Sequence, residues 1–139
     1  MNTMNDNEFT ETEESPLVMY LVVRESLNMS IGKTAAQVAH AAQRLQQEYQ
    51  DIHNEIMCGW NDHVSKYDIF SKWLSKAVRK VVLKADEKEW VKLKELPNHV
   101  LIIDAGFTEL APHTETVIGF WPMHKSDVPK TIKRLQVLK

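Results

Sequence analysis

Cysteine occurs once in the 139 residues, at Cys58. No intramolecular disulfide framework can exist, and the composition suits a reducing, cytoplasmic setting. No apolar run approaches the roughly 18 residues of a membrane-crossing helix, so no membrane partner is expected. The first residues are acidic and show neither the basic nor the apolar region of a secretory signal. Several chemical signatures are also missing. The chain has no G-x-S-x-G elbow, no H-E-x-x-H or C-x-x-C, and neither a P-loop nor G-x-G-x-x-G. Their absence argues against an elbow-type serine hydrolase, a zinc site of those designs, and a nucleoside-triphosphate or dinucleotide enzyme. Six histidines are present, yet none has metal-ligand spacing, and no metal or organic cofactor is called for.

What is present fits one domain with a real core. The apolar share is 43% and the charged share 26%, ordinary for a globular chain. The net charge of −2 conceals an asymmetry. Residues 1–15 hold Asp6, Glu8, Glu11, Glu13 and Glu14 without a base, leaving 17 bases against 14 acids in the remainder. We expect residues 1–15 to be a disordered acidic arm and 16–139 the domain. A mildly basic body permits a nucleic-acid partner without requiring one.

Leu17–Val23 is a continuous apolar run of strand length, the pattern of a central strand covered on both faces. Asn28 and Ser30 are candidate caps for a helix from about Gly32 to Tyr49, with Val38, Ala41, Ala42, Leu45 and Tyr49 as its apolar stripe. Residues 51–66 show no convincing period and are expected to form a loop containing a short helical piece. Tyr67, Phe70, Trp73, Leu74 and Ala77 mark a second helix, and Val78–Leu83 a second strand. Asp86 with Glu89 reads as a capping box opening a helix to about Leu96. Val100–Ile103 and Thr116–Trp121 are further strands, and a last helix over about Val128–Leu135, capped by Ser126 or Asp127, closes the chain. The order β-α-α-β-α-β-β-α predicts an α/β domain with a four-stranded mixed sheet, mostly parallel, with one antiparallel neighbour.

Two polar groups stand out. Lys33, Gln37 and His40 fall at i, i+4 and i+7 and so share one helix face near an N-terminus, where an anion is favoured. Asp104 opens the loop D-A-G-F-T-E-L-A-P-H-T-E-T at the carboxyl end of a strand, with Thr108, Thr114 and Thr116 in or after it. Taken alone, the first is an ordinary solvated helix edge, and the second a turn in which Asp and Thr cap backbone groups and Gly106 supplies positive φ. Taken together they gain meaning, because sites in open α/β sheets form outside the carboxyl ends of strands. If the two strands are neighbours, Lys33 and Asp104 converge.

With these motifs the chain resembles the second type of peptidyl-tRNA hydrolase, the archaeal and eukaryotic family. The matching pieces are L-V-V-R (Leu21–Arg24), N-M-S-I-G-K-T-A-A-Q-V-A-H-A-A (Asn28–Ala42), V-V-L-K (Val81–Lys84) and D-A-G-F-T-E-L-A-P-H-T-E-T-V (Asp104–Val117), in the family's order. The resemblance implies a three-layer α/β/α Rossmann-like domain, often a homodimer. It also implies hydrolysis of the ester joining peptide to tRNA, with peptidyl-tRNA as partner. Carried over by position, Lys33, Asp104, Thr108 and Thr116 are the catalytic candidates, and Gly32, Gln37, His40, Gly106 and Thr114 the substrate-binding ones. The chain departs from the family where M-G-K-G-K is common and Met29-Ser30-Ile31-Gly32-Lys33 stands. It departs again at Phe107, where a base is frequent, and at His113, where glycine is. Fewer cations mean fewer phosphate contacts and a weaker salt dependence. A non-catalytic RNA- or protein-binding module on the same fold is the alternative, and a hydrolase of another small ester or amide a third reading.

Overall fold

The computed structural model describes residues 15–60, 62–107 and 109–139. Residues 1–14 of the expected arm therefore lie outside the described residues, as does the candidate Thr108. Among the described residues six strands form the sheet, two more than expected. They are β1 (Leu17–Arg24), β2 (Lys80–Ala85), β3 (His99–Ile103), β4 (Glu115–Phe120), β5 (Met123–His124) and β6 (Gln136–Val137). The helices are α1 (Ile31–Met57), α2 (Val64–Ser75), α3 (Glu87–Leu93) and the single turn α4 (Lys130–Lys133). The two extra strands are two residues each, too short to leave a period in the sequence.

The sheet order is β3-β4-β1-β2-β6, with β5 pairing to the start of β1. The expectation of a mostly parallel sheet is corrected. Only β1 and β2 pair in parallel; β1/β4, β3/β4, β2/β6 and β1/β5 are all antiparallel. The reason is where β4 goes. It folds back from β3 and inserts between β3 and β1, so strands that run the same way are separated by one that does not. β3 and β1 are consequently not neighbours, yet both end at the same edge of the sheet. The amino end of β4 begins there too.

β1 lies at the centre, as its unbroken apolar run requires. Met19, Leu21 and Val23 pack with Ala41, Leu45 and Ile52 of α1 and Phe70 and Trp73 of α2. The alternate residues Val18, Tyr20 and Val22 pack with Trp90 and Leu93 of α3, Ile132 of α4 and nearby Leu135. Period-two alternation thus feeds two separate cores from one strand.

Helix α1 runs eight residues past the expected end at Tyr49, so the loop expected at 51–66 is mostly helix. The apolar stripe does continue, through Ile52 and Ile56 at helical spacing, but polar neighbours dilute it. A seam of rings against α2 carries the extension. Tyr49 stacks on Tyr67 at 5.0 Å and on Phe70 at 4.5 Å, and His53 Nδ1 lies 2.7 Å from the Tyr67 hydroxyl. The helix closes where the Trp60 N–H donates to the Glu55 carbonyl and that of Gly59 to Ile56, a Schellman arrangement. The capping box at Asp86 forms as expected, with both reciprocal bonds in place. The last helix does not span 128–135. Val128 is extended ahead of Pro129, as a residue before proline prefers, which leaves a 3₁₀ turn (Lys125–Asp127) and then α4.

Close contact between α1 and the sheet depends on Gly119 in β4. A Cβ there would meet the Ala41 Cβ and Leu45 Cδ1 at 3.1 Å and Leu21 Cδ2 at 3.2 Å. Valine at this position overpacks three buried side chains at once. Gly119→Val should lower unfolding stability by about 1–3 kcal/mol in urea titration.

Candidate functional site

The edge where β1 and β3 end and β4 begins is also where helix α1 starts. Ser30 is the N-cap of α1, its hydroxyl accepting from the Lys33 N–H at 3.2 Å. That bond fixes the first turn and sends the Lys33 side chain towards the end of β3. Lys33 Nζ there donates to Asp104 Oδ1. The pair is the least exposed ion pair among the described residues, with side chains 11% and 6% accessible. The other Asp104 oxygen, Oδ2, accepts the Gly106 N–H at 2.8 Å.

Gly106 is required here. Its φ is +87°, and a Cβ would come within 2.7 Å of the Pro112 backbone and ring. The turn it makes aims its N–H back at the carboxylate and closes the loop upon Pro112. Across the loop, the Asp104 N–H donates to the Thr114 carbonyl and the His113 N–H to the Asp104 carbonyl, both at 2.8 Å. His113 itself sits at φ +67°, in the left-handed region that favours glycine. The Thr114 hydroxyl donates to the Ala111 carbonyl at 2.7 Å and so braces the loop from within. Asp104 is consequently held below the usual carboxylate range, first by the Lys33 hydrogen bond and then, against the opposing effect of desolvation, by the Gly106 N–H.

Behind the ion pair runs a buried polar chain. Gln37 Nε2 donates to Thr116 Oγ1 at 2.8 Å, and the Thr116 hydroxyl donates to the Ile102 carbonyl at 3.2 Å. Gln37, Asp104 and Thr116 are the buried polar residues among those described, and all three lie at this one place. Burying polar groups costs free energy unless each is paired, so their concentration here marks a site and not a random defect in the core. The inserted strand β4 explains the convergence. β1 and β3 are not adjacent, but Lys33 and Asp104 still meet, with Thr116 from the strand between them holding the helix by way of Gln37.

The remaining candidates are placed as follows. Gly32 lies in the first turn of α1, with open space where a Cβ would be. His40 is exposed and lines a shallow cleft with Gln43, Arg44, Gln47, Ile102 and Ile103. Among the described residues it shares no hydrogen bond with Lys33 or Asp104, although its charge favours the Asp104 carboxylate. Among the described residues, no three His, Cys, Asp or Glu side chains converge as a metal ion would need.

Two features escaped the sequence reading. Glu109 accepts the Ser30 N–H on Oε2 and the Ser30 hydroxyl on Oε1, each at 2.8 Å, clasping the loop to the start of α1. These bonds hold its carboxyl below the usual range. No spacing rule singles out Glu109, because its partner is 79 residues away. The second feature is Arg24 at the end of β1, which makes a bidentate pair with Glu87 at 2.9 Å and donates to the Glu115 carbonyl at 3.2 Å. Arg24 and then Ser26 lower the Glu87 carboxyl to about 2. Glu115 in turn accepts from Trp90 Nε1 and Lys94, both at 2.9 Å. This network ties α3 to the same sheet edge.

These features define an α/β domain with a paired cation and carboxylate at strand carboxyl ends, a design that serves hydrolytic and binding roles alike. Comparison with known proteins narrows the class. Residues 17–138 match the family model described as Peptidyl-tRNA hydrolase PTH2. The chain is 37% identical over 126 residues to a peptidyl-tRNA hydrolase of Sulfurisphaera tokodaii, covering 86% of this chain and 97% of that one. It is 29% identical to that of Thermoplasma acidophilum over the same length and shares. It is 36% identical over 130 residues to the "Peptidyl-tRNA hydrolase 2, mitochondrial" of Bos taurus, covering 84% of this chain and 64% of the bovine one. The chain belongs to the PTH2 family of peptidyl-tRNA hydrolases.

The buried chain behind the pair makes a direct prediction. Thr116→Val keeps the shape but leaves the Gln37 amide without its acceptor. It should cost about 1–3 kcal/mol of stability by urea unfolding, while Thr116→Ser stays near the wild type.

Proposed function

We propose that this protein hydrolyses the ester that joins a peptide to the 3′ end of tRNA, releasing the peptide and free tRNA. The observation that carries the reading is the shielded Lys33–Asp104 pair, held at the meeting point of two strand ends and a helix start, in a chain of the PTH2 family. Ester hydrolysis needs a placed water, stabilisation of the tetrahedral oxyanion, and a proton for the leaving oxygen.

Lys33 answers the second need. Its ammonium carries three N–H donors, and one of them goes to Asp104. The others are available to the ester carbonyl oxygen as negative charge builds upon it. Asp104 has two tasks. It keeps Lys33 extended, and its free lone pairs accept from the attacking water and orient it. Because its carboxyl is held low, Asp104 is a weak base and a constant anion, and orientation is the larger part of its role. Water adds to the carbonyl carbon, the bond to the ribose oxygen breaks, and the water's proton ends on that departing oxygen.

Thr116 is too deeply buried to meet a bound ester and serves as a positioning residue through Gln37. Gly106 and Thr114 shape the loop that carries Asp104, and Gly32 keeps the first turn of α1 open to the substrate. Thr108, between Phe107 and Glu109 in sequence, is proposed to place the water or a ribose hydroxyl. His40 is proposed to meet the substrate farther along α1, beside Arg44. The placement of α1 and α2 in one core and α3 and α4 in the other supports a three-layer, Rossmann-like reading of the fold. The proposal includes a homodimer, on the family resemblance alone, working in the cytoplasm, as the single cysteine suits.

Purified Lys33→Ala and Asp104→Ala, with folding checked by circular dichroism, should each lose about 100-fold or more in kcat on peptidyl-tRNA. Wild-type turnover in both would sink the assignment. The carboxyl titration gives an independent check. Lys33 favours the charged form, so Asp104 in the wild type should titrate below its ordinary value of 3.8. In Lys33→Ala the midpoint should move upwards, as followed by carboxyl carbon NMR shifts.

A further inference from the structure

Two large apolar side chains stand almost fully in solvent, and both flank the Lys33–Asp104 pair. Ile31 and Phe107 are each 91% accessible, against 67% for Met57, the next most exposed large hydrophobic residue among those described. Ile31 follows Ser30 directly, at the first helical position of α1. Phe107 follows Gly106, whose N–H is bonded to Asp104, and precedes Glu109 by two residues. The Ser30–Glu109 clasp joins the two segments that carry them, so both side chains stand at the mouth where the start of α1 meets the Asp104 loop.

The charge at this mouth selects what it can hold. Glu109 already takes the Ser30 N–H and hydroxyl, donors that would otherwise face a bound anion. Lys33 is answered by Asp104, and with Glu109 ionised the cluster carries one net negative charge. A phosphate at this spot would meet a carboxylate, whereas an uncharged, flat and polarisable group would meet an exposed ring and an aliphatic side chain. Resting on the ester-hydrolase reading, such a group lies next to the scissile ester in every tRNA substrate: the terminal adenine. The peptide side chain on the other side of the ester varies from substrate to substrate, so a fixed aromatic bank suits it less well.

We propose that Phe107 and Ile31 form an apolar clamp that takes the terminal nucleobase of the tRNA 3′ end, with Phe107 stacking on its face. Stacking of this kind tolerates salt and needs no cation, so it compensates for phosphate contacts that this mouth does not offer.

The test compares two short RNAs, C-C-A and the same chain with an abasic terminal nucleotide, by NMR shift titration against the full-length protein. In the wild type, removing the base should weaken binding about tenfold. The difference should fall below about twofold in Phe107→Ala, persist in Phe107→Trp, and narrow in Ile31→Ser. Both positions are exposed, so these variants should fold normally. Equal weakening in wild type and Phe107→Ala would overturn the proposal, as would no weakening in the wild type or no binding of either RNA. So would a Phe107-dependent preference that tracks the peptide's side chain when KM is measured on peptidyl-tRNAs with apolar and charged peptides. Parallel hydrolysis assays separate the two readings. Base-selective binding without hydrolysis contradicts the ester-hydrolase reading and leaves the clamp standing, while hydrolysis without base selectivity contradicts the clamp alone.

Discussion

A lysine and an aspartate held out of water at one edge of the sheet set the terms for everything around them. Each charge is costly there alone, because a shielded ion loses hydration that neighbouring dipoles return only in part. The structure must therefore deliver both at once, from elements 71 residues apart in sequence. The Ser30 cap fixes the start of α1, the tight turn at Gly106 fixes the carboxylate, and the Gln37–Thr116–Ile102 chain locks helix to sheet behind them. The Glu109 clasp closes the front. Each of these is a hydrogen bond whose partner is also part of the site, so loss of any one loosens the pair.

The unexpected strand order serves the same end. Had β1 and β3 been neighbours in a parallel sheet, the two strand ends would adjoin and no third strand would reach the site. With β4 between them, a strand running the other way brings its first residues, Glu115 and Thr116, to that edge. Thr116 anchors Gln37, and Glu115 gathers Trp90 and Lys94 from α3 and its neighbouring turn. One antiparallel insertion thus recruits α1 and α3, which pack in the two separate cores, to a single edge. Gly119, farther along the same strand, lets α1 approach closely enough for the side chains of its first turns to reach across.

Much of this was legible in the sequence, and the parts that were not share a cause. The central strand, the Asp86 capping box and the second helix follow from local pattern, whereas Lys33 and Asp104 were expected to meet only if their strands were neighbours, and they meet although those strands are not. Local signals fix an element when its neighbours in sequence are also its partners in space. The continuation of α1 to Met57 failed that condition, since the stacking of Tyr49 and His53 on Tyr67 is a tertiary contact that overrides a diluted period. The position of β4 was hidden because strand order is decided by which faces bury best, a global comparison. Glu109 and Arg24 likewise have partners far along the chain, and the two-residue strands β5 and β6 are too short to show any pattern. Ile31 and Phe107 were visible as departures from a motif, but the near-complete exposure of Ile31 was not.

The central claim is that Lys33 and Asp104 act as one unit in the chemical step. The most direct measurement is a double-mutant cycle in single-turnover hydrolysis of peptidyl-tRNA, comparing Lys33→Ala, Asp104→Ala and the double variant. Groups that act as a unit give non-additive losses, so the double variant should be no more than about a few-fold slower than the slower single variant. Losses that multiply across the two positions would show that each residue works independently, and would contradict the account.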